Sequence, residues 1–370
     1  MLLEGQIFDQ YRIVCQLKSG GMGEVYLADD TRLPRQIAIK VIRIDASRHS
    51  YRLAAQEATR LFLREAQAIA RLDHLHILPL YGSGEKFING MRLMYMVMPF
   101  RREGSLIEWL HKHGKSRVLS LWDVERIINQ AASALQHAHN QQIIHQDVKP
   151  SNFLIQGNAV QANQLNLQLA DFGVAKFMPK TSESQVIRGT PDYMAPEQWE
   201  GRPVPATDQY ALAVMAYELL TGYLPFTGSN HEEMWHQHHF VDPEPPSSIN
   251  PNIPEEIDDV LLQALSKNPV DRFGSIEIFA RAFRQALETM NHFNSTGTIA
   301  NGPSSAIKTG LNQTNVLAVV AKGSTIELFV NRQMIASVPD TTYIQGQIGI
   351  IAENTGNDTE VAFSNAKVWT

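Results

Sequence analysis

Residues 145–155 read HQDVKPSNFLI, and residues 167–173 read LQLADFG. The runs Phe153-Leu154-Ile155 and Leu167-Gln168-Leu169-Ala170 are short, mostly apolar and strand-like. Paired as a hairpin, they set Asp147, Lys149 and Asn152 on one loop end and Asp171, nineteen residues after Asn152, on the neighbouring one. Carboxylate and amide oxygens suit a hard cation such as Mg²⁺, which keeps several waters and takes one or two carboxylates plus phosphate oxygens. Asp147 is then free to receive a proton from an attacking hydroxyl, and Lys149 to offset charge on a transferring phosphoryl group. Taken singly, each of these residues also reads as an ordinary turn residue.

Upstream lies SGGMGEVY at 19–26, between two strand-like runs. Gly20, Gly21 and Gly23 let backbone approach a ligand closely, and a turn of unpaired N–H groups suits phosphate. Glycine-rich hairpins without a ligand are common, so this stretch alone decides little. Lys40 ends the apolar run Ile37-Ala38-Ile39, where an uncompensated buried ammonium is costly; a lysine snorkelling from a sheet edge is the simpler reading. In the helical pattern over 53–72, however, Phe62, Glu65, Ile69 and Leu72 share one face at spacings of three and four. A buried charge of each sign on adjacent elements is best explained by the two meeting.

Residues 11–44 hold three strand-like runs, and the periodicity predicts further strands near 78–82 and 92–98. From about 105 onward the pattern is mostly helical, over 120–141, 206–221, 255–266 and 275–289. A β-rich beginning and a helix-rich remainder predict an α+β unit of two lobes. Near residue 291 the composition turns to Ser, Thr, Asn and Gly, as in a linker, and β signals return over 315–370.

Of the 370 residues, 44% are apolar and 19% charged, as in an ordinary globular chain. Thirty-two basic against 38 acidic residues leave a net charge of −6, without the basic surplus of a duplex-binding protein. The one cysteine, Cys15, excludes an internal disulfide and a Cys-based zinc site. The opening MLLEGQIFDQYR lacks a basic stretch followed by an apolar one, and no apolar run reaches the roughly 18 residues of a span. The expectation is a cytoplasmic protein with no membrane span and no nucleic-acid partner.

In this order and spacing, the glycine loop, Lys40, Glu65, HQDVKPSN, Asp171-Phe172-Gly173, GTPDYMAPE (189–197), Asp208 and Arg272 resemble the eukaryotic-like serine/threonine protein kinases, bacterial members included. The resemblance covers roughly residues 8–289. It implies a bilobal protein kinase fold over 1–290, with a β-rich N-lobe to about 98 and a helical C-lobe from about 99. A flexible linker (291–314) and a small β-rich segment (315–370) follow. The family implies that Lys40 pairs with Glu65 and holds the α- and β-phosphates of ATP, and that Asn152 and Asp171 hold Mg²⁺. It implies Asp147 as acceptor or orienter of the substrate hydroxyl, and Lys149 as the cation steadying the γ-phosphoryl group. Val25, Ala38 and Leu154 would sandwich adenine, with Met98 at the back of the pocket and Pro99 to Arg101 as the hinge. Glu197 with Arg272 resembles an internal ion pair, and Asp208 a brace for the catalytic loop. The partners implied are protein substrates with Ser or Thr acceptors.

Two positions depart from the family. Lys18 stands where the glycine loop usually opens with glycine; with positive φ it would be strained, and in ordinary β backbone the cost is small, leaving open whether its ammonium aids nucleotide approach or the change reduces ATP affinity. Gln146 precedes Asp147, where many members carry an arginine that grips an activation-loop phosphate. Activity is therefore expected to depend little on phosphorylation of Thr181, Ser182 or Ser184. The segment HEEMWHQHHF (231–240) reads as a solvated helix rather than a metal site. The tail, with a hairpin over 325–338 and further strands in GQIGIIAEN and TEVAFSNAKVW, is similar to the closing strands of concanavalin-like β-sandwiches. It carries no diagnostic sugar site, and its ligand, sugar or protein, is unassigned. The alternative is a nucleotide-binding pseudokinase scaffold with a C-terminal interaction module.

Overall fold

Buried and exposed positions alternate along the first strands, so one face of a sheet closes over its own core. Tyr11 and Ile13 are buried, while Arg12 between them and Val14 after them are exposed. The computed structural model describes residues 3–20, 23–44, 52–89, 91–113, 119–157, 159, 161–172, 190–294, 317–322, 325–330 and 333–339. The chain divides into two compact units, Met1–Asn291 and His292–Thr370.

The first unit opens with β1 (Ile7–Phe8), β2 (Tyr11–Gly20), β3 (Gly23–Asp30), β4 (Gln36–Ile44), helix α1 (Arg52–Ile69), β5 (Gly82–Ile88) and β6 (Met91–Pro99). The six strands form one antiparallel sheet in the order β1-β2-β3-β4-β6-β5. Phe8, Tyr11, Ile13, Tyr26, Ile37, Ile39 and Val41 build a core on one face. Helix α1 turns Phe62, Ala66 and Ile69 inward at spacings of four and three.

The strand expected at 78–82 lies instead at 82–88. Ile77 and Leu78 are buried because they run beside a later strand, with Ile77 bridged in parallel to Leu169 and the Leu78 amide donating to the Leu169 carbonyl at 2.9 Å. Their apolar character marks a buried crossing.

The helical part comprises α2 (Leu106–His113), α3 (Leu121–Asn140), α4 (Pro196–Trp199), α5 (Pro205–Thr221), α6 (His231–Phe240), α7 (Pro246–Ile249), α8 (Glu255–Ala264) and α9 (Ile276–Asn294). Helix α3 starts at Ser120, whose side chain accepts from the Asp123 amide, and buries Val124, Ile127, Ile128, Ala131, Leu135 and Ala138. Helix α5 is buried from Thr207 to Thr221, the mark of a helix that runs through the core. It begins at Pro205, which has no N–H to leave unpaired, and ends at Gly222 with φ 81°. Between α3 and α4 lies the short hairpin β7 (Phe153–Ile155) and β8 (Leu167–Leu169).

Helix α6 differs from expectation. Met234 and His238, four residues apart, are buried, and His238 packs between Tyr210, Trp199 and Phe226. Only the rest of the helix meets water. Among the described residues no helix is long and apolar enough to cross a membrane.

In the second unit, β9 (Leu317–Lys322), β10 (Thr325–Val330) and β11 (Gln333–Pro339) form an antiparallel sheet in the order β11-β10-β9. The strands expected in 346–354 and 359–369 lie outside the described residues.

Candidate active site

The β7–β8 hairpin pairs Phe153 with Leu169, Leu154 with Gln168 and Ile155 with Leu167. The loop before β7 therefore lies beside the turn after β8. His145 ties the two together: its Nε2 donates to the Ala170 carbonyl at 2.9 Å, while its Nδ1 accepts from the Asp147 amide at 3.2 Å. The partners define the tautomer, since an amide can only donate and a carbonyl only accept. His145 is fully buried against Phe172 and does not face the cleft.

Asp208, in the first turn of α5, fixes the other side of this loop. Its Oδ2 accepts from the His145 amide at 2.8 Å and faces His139 Nε2 at 2.7 Å, and its Oδ1 accepts from the Gln146 amide at 2.8 Å. A carboxylate near a helix N-terminus is favourably placed against the helix dipole. Gln146 adopts φ 67°, a left-handed conformation that a non-glycine residue holds only when its surroundings enforce it. Asp208 holds its N–H, and Gln198 Nε2 donates to its carbonyl at 2.8 Å.

Three side chains converge on Asp147. Lys149 Nζ stands 2.9 Å from its Oδ2, Asn152 Nδ2 donates to Oδ2 at 2.9 Å and to the backbone carbonyl at 2.7 Å, and Thr190 donates to Oδ1 through its hydroxyl (3.0 Å) and amide (3.1 Å). Lys149 also bonds the Thr190 hydroxyl. Burial pushes the Asp147 carboxyl up, but the Lys149 ammonium, aided by the hydrogen bond from Asn152, outweighs it and holds the group below the usual carboxylate range. Asp147 is thus a carboxylate over the physiological range.

Across the cleft, Lys40 Nζ pairs with Asp171 Oδ1 at 2.9 Å. The Lys40 side chain is buried, whereas Asp171, at φ 63°, keeps about a third of its side chain exposed. Burial raises the Asp171 carboxyl, and the Lys40 ammonium more than offsets this, with a net depression. Lys40, Met98 and Asp171 line one small cavity of about 30 Å³ with Leu78, Met96 and Phe172. Ala38 pairs with Met98 across β4 and β6, Val25 pairs with Lys40 across β3 and β4, and Leu154 on β7 bridges to Ser105. Gly20 and Gly23 close the β2–β3 hairpin. Gly23 has φ 120°, and a Cβ there would sit 2.5 Å from the Val41 carbonyl, so no other residue fits unstrained. Gly21 and the side chain of Glu65 lie outside the described residues; the Glu65 backbone belongs to α1. The structure therefore gathers Asp147, Lys149 and Asn152 into one group, and Lys40, Asp171 and Met98 around one small cavity.

Two supports have no clear signature in the sequence. Arg101 forks onto Gln168 Oε1 at 2.9 and 2.5 Å, and Gln168 Nε2 donates to the Leu75 carbonyl at 3.2 Å. This chain of bonds links the segment after β6 to β8 and to the turn after α1. A buried glutamine at 168 in an otherwise apolar strand was the available signal. Glu24 is gripped by Arg43 at 2.8 Å through both oxygens and accepts from Tyr26 at 2.7 Å, which steadies the strand leaving the glycine hairpin. Away from the cleft, Arg272 meets Glu197 with two bonds of 2.8 and 2.9 Å, both side chains buried.

The geometry is that of a two-lobed α+β unit whose charged groups face a cleft between sheet and helices. Residues 11–284 match the protein kinase domain family, and the chain belongs to it. It is 33% identical over 282 residues to the serine/threonine-protein kinase PrkC of Bacillus subtilis, covering 75% of this chain and 40% of PrkC. It is 38% identical over 292 residues to the serine/threonine-protein kinase PknF of Mycobacterium tuberculosis, covering 77% of this chain and 58% of PknF. The crystal structure of the M. tuberculosis PknI kinase domain, 31% identical, is similar with a TM-score of 0.59 over 77% of this chain and 98% of that one. The chain thus spans between 40% and 58% of the length of these two curated relatives.

Proposed function

We propose that this chain is an ATP- and Mg²⁺-dependent serine/threonine protein kinase that transfers the γ-phosphoryl group to Ser and Thr hydroxyls of proteins, its own included. The reading rests chiefly on Asp147. Its Oδ1 already accepts an aliphatic hydroxyl, that of Thr190, at 3.0 Å, with the Lys149 ammonium beside it. A substrate hydroxyl in the same place would give its proton to that carboxylate while Lys149 offsets charge on the phosphoryl oxygens. The depressed Asp147 carboxyl stays ionised and able to orient that hydroxyl.

Lys40 holds the α- and β-phosphates in this reading, and Val25, Ala38, Leu154 and Met98 enclose the base, under a backbone lid of Gly20, Gly21 and Gly23. Glu65 on α1 is assigned as the second partner of Lys40. Asn152 spends its nitrogen on Asp147, which leaves its Oδ1 for a cation, and Asp171 supplies a carboxylate. Among the described residues no cluster of three or more His, Cys, Asp or Glu forms a closed metal cage. Two oxygen donors with open positions fit Mg²⁺, which takes its remaining ligands from water and phosphate. Mg²⁺, when bound, neutralises charge on the phosphates; positioning and electrostatics from the chain do the rest.

Because Gln146 is held by Asp208 and Gln198 through backbone bonds, the catalytic loop keeps its orientation without an activation-loop phosphate. We assign 1–290 as the kinase domain, 291–314 as linker and 315–370 as a β-rich segment similar to part of a concanavalin-like sandwich. A cytoplasmic location fits this reading. The direct test is incubation of full-length protein with Mg²⁺, labelled ATP and a pool of Ser, Thr and Tyr peptides. Label on Ser and Thr alone is expected. Nucleotide-induced thermal stabilisation with no transfer would favour a pseudokinase scaffold instead.

A further inference from the structure

We propose that Lys18 is a third phosphate-binding cation of the nucleotide site, beside Lys40 and Lys149, and that it selects nucleoside di- and triphosphates over unphosphorylated nucleosides. This rests on the nucleotide-binding reading above. Lys18 pairs with Val25 across β2 and β3, and Val25 pairs with Lys40 across β3 and β4. Residues directly opposite one another in antiparallel strands project from the same face. Lys18, Val25 and Lys40 therefore stand abreast, and the salt bridge from Lys40 to Asp171 identifies that face as the one turned to the cleft. Neighbouring strands lie about 4.8 Å apart, so the two lysines start about 10 Å from each other, a gap that two extended side chains and a polyphosphate bridge.

The pairing of β2 with β3 is irregular between Gln16 and Lys18. Such bulges re-aim a side chain, and here the bulge carries Lys18 onto the row occupied by Val25. Lys18 is not among the residues with positive φ, so a lysine stands there without strain. Its side chain is exposed, and it forms no ion pair or hydrogen bond with another described residue. An exposed ammonium in one row with Val25 and Lys40 suits a ligand carrying several negative charges.

The test measures dissociation constants by titration calorimetry on the full chain, for ATP, ADP and adenosine, at low and high salt. Lys18→Met is expected to weaken ATP and ADP binding about fivefold, the upper range for one exposed charge contact, and Lys18→Glu by more. Lys18→Arg is expected to bind like the wild type. Adenosine binding stays constant throughout, which also reports that each variant is folded, and added salt narrows the gap. Wild-type ATP affinity in Lys18→Met, or an equal loss for adenosine, overturns the role of Lys18 alone. A wild-type chain that binds none of the three overturns the nucleotide-binding reading itself.

Discussion

Arg272 and His238 show how single buried polar groups hold the helical part together. The Arg272 guanidinium meets both Glu197 oxygens, donates to the carbonyls of Ala206, Ser266 and Lys267, and lies over the Tyr210 ring at 4.8 Å. Arg272→Met strands the Glu197 carboxylate in the interior. Chemical denaturation is expected to register a loss of about 3–5 kcal/mol, and a loss under about 1 kcal/mol would be inconsistent with a buried pair. His238 accepts from or donates to the Tyr210 hydroxyl at 2.9 Å, and burial, with Lys267 and His239 nearby, pushes its imidazole down to about 3. Unfolded histidine titrates near 6.5, so between those values only the unfolded chain takes up the proton. Stability is complete above about pH 6.5 and falls as the pH drops, by up to about 1.4 kcal/mol per unit. His238→Gln keeps a partner for Tyr210 without titrating; its melting temperature should fall less steeply between pH 6.5 and 4.5 than that of the wild type. Parallel slopes would rule out His238 as the source.

At the scale of elements, the catalytic loop is supported from two sides, by the hairpin through His145 and by α5 through Asp208. Neither support involves a phosphorylated residue. The triple variant Thr181→Ala, Ser182→Ala, Ser184→Ala is accordingly expected to retain peptide phosphorylation within about threefold, since Gln146 offers no charge-assisted bond to a loop phosphate. A collapse in turnover, measured by kcat on a peptide substrate, would show that loop phosphorylation is required. The β7–β8 hairpin was legible because two three-residue apolar runs flank polar loops, and its pairing alone sets Asp147 and Asn152 near Asp171. Apolar character points to a strand near Ile77 and Leu78, which run beside β8, whereas the edge strand β5 lies later and exposes alternate residues. The polarity of α6 predicts a solvated helix; the inward pair Met234 and His238 is visible only as a spacing of four within a polar run. Arg101 and Gln168 were illegible together, since nothing in sequence brings residues 67 positions apart into contact.

At the scale of the whole molecule, one unit ending at Asn291 contains both cores and every described residue of the cleft. The sheet supplies Lys40 and the glycine hairpin, the helical part supplies the aspartates, and the proposed transfer draws on both sides at once. Two substitutions on opposite sides therefore probe the assembly as a unit. Lys40→Met removes a cation and Asp147→Asn the carboxylate, and each keeps nearly the volume of the residue replaced. Autophosphorylation of the full chain with labelled ATP and Mg²⁺ is the measurement that bears on this most directly. Label incorporated by the wild type and reduced at least about a hundredfold in both variants is the expected result. Equal incorporation in all three, or none in a wild type that binds ATP, would contradict it.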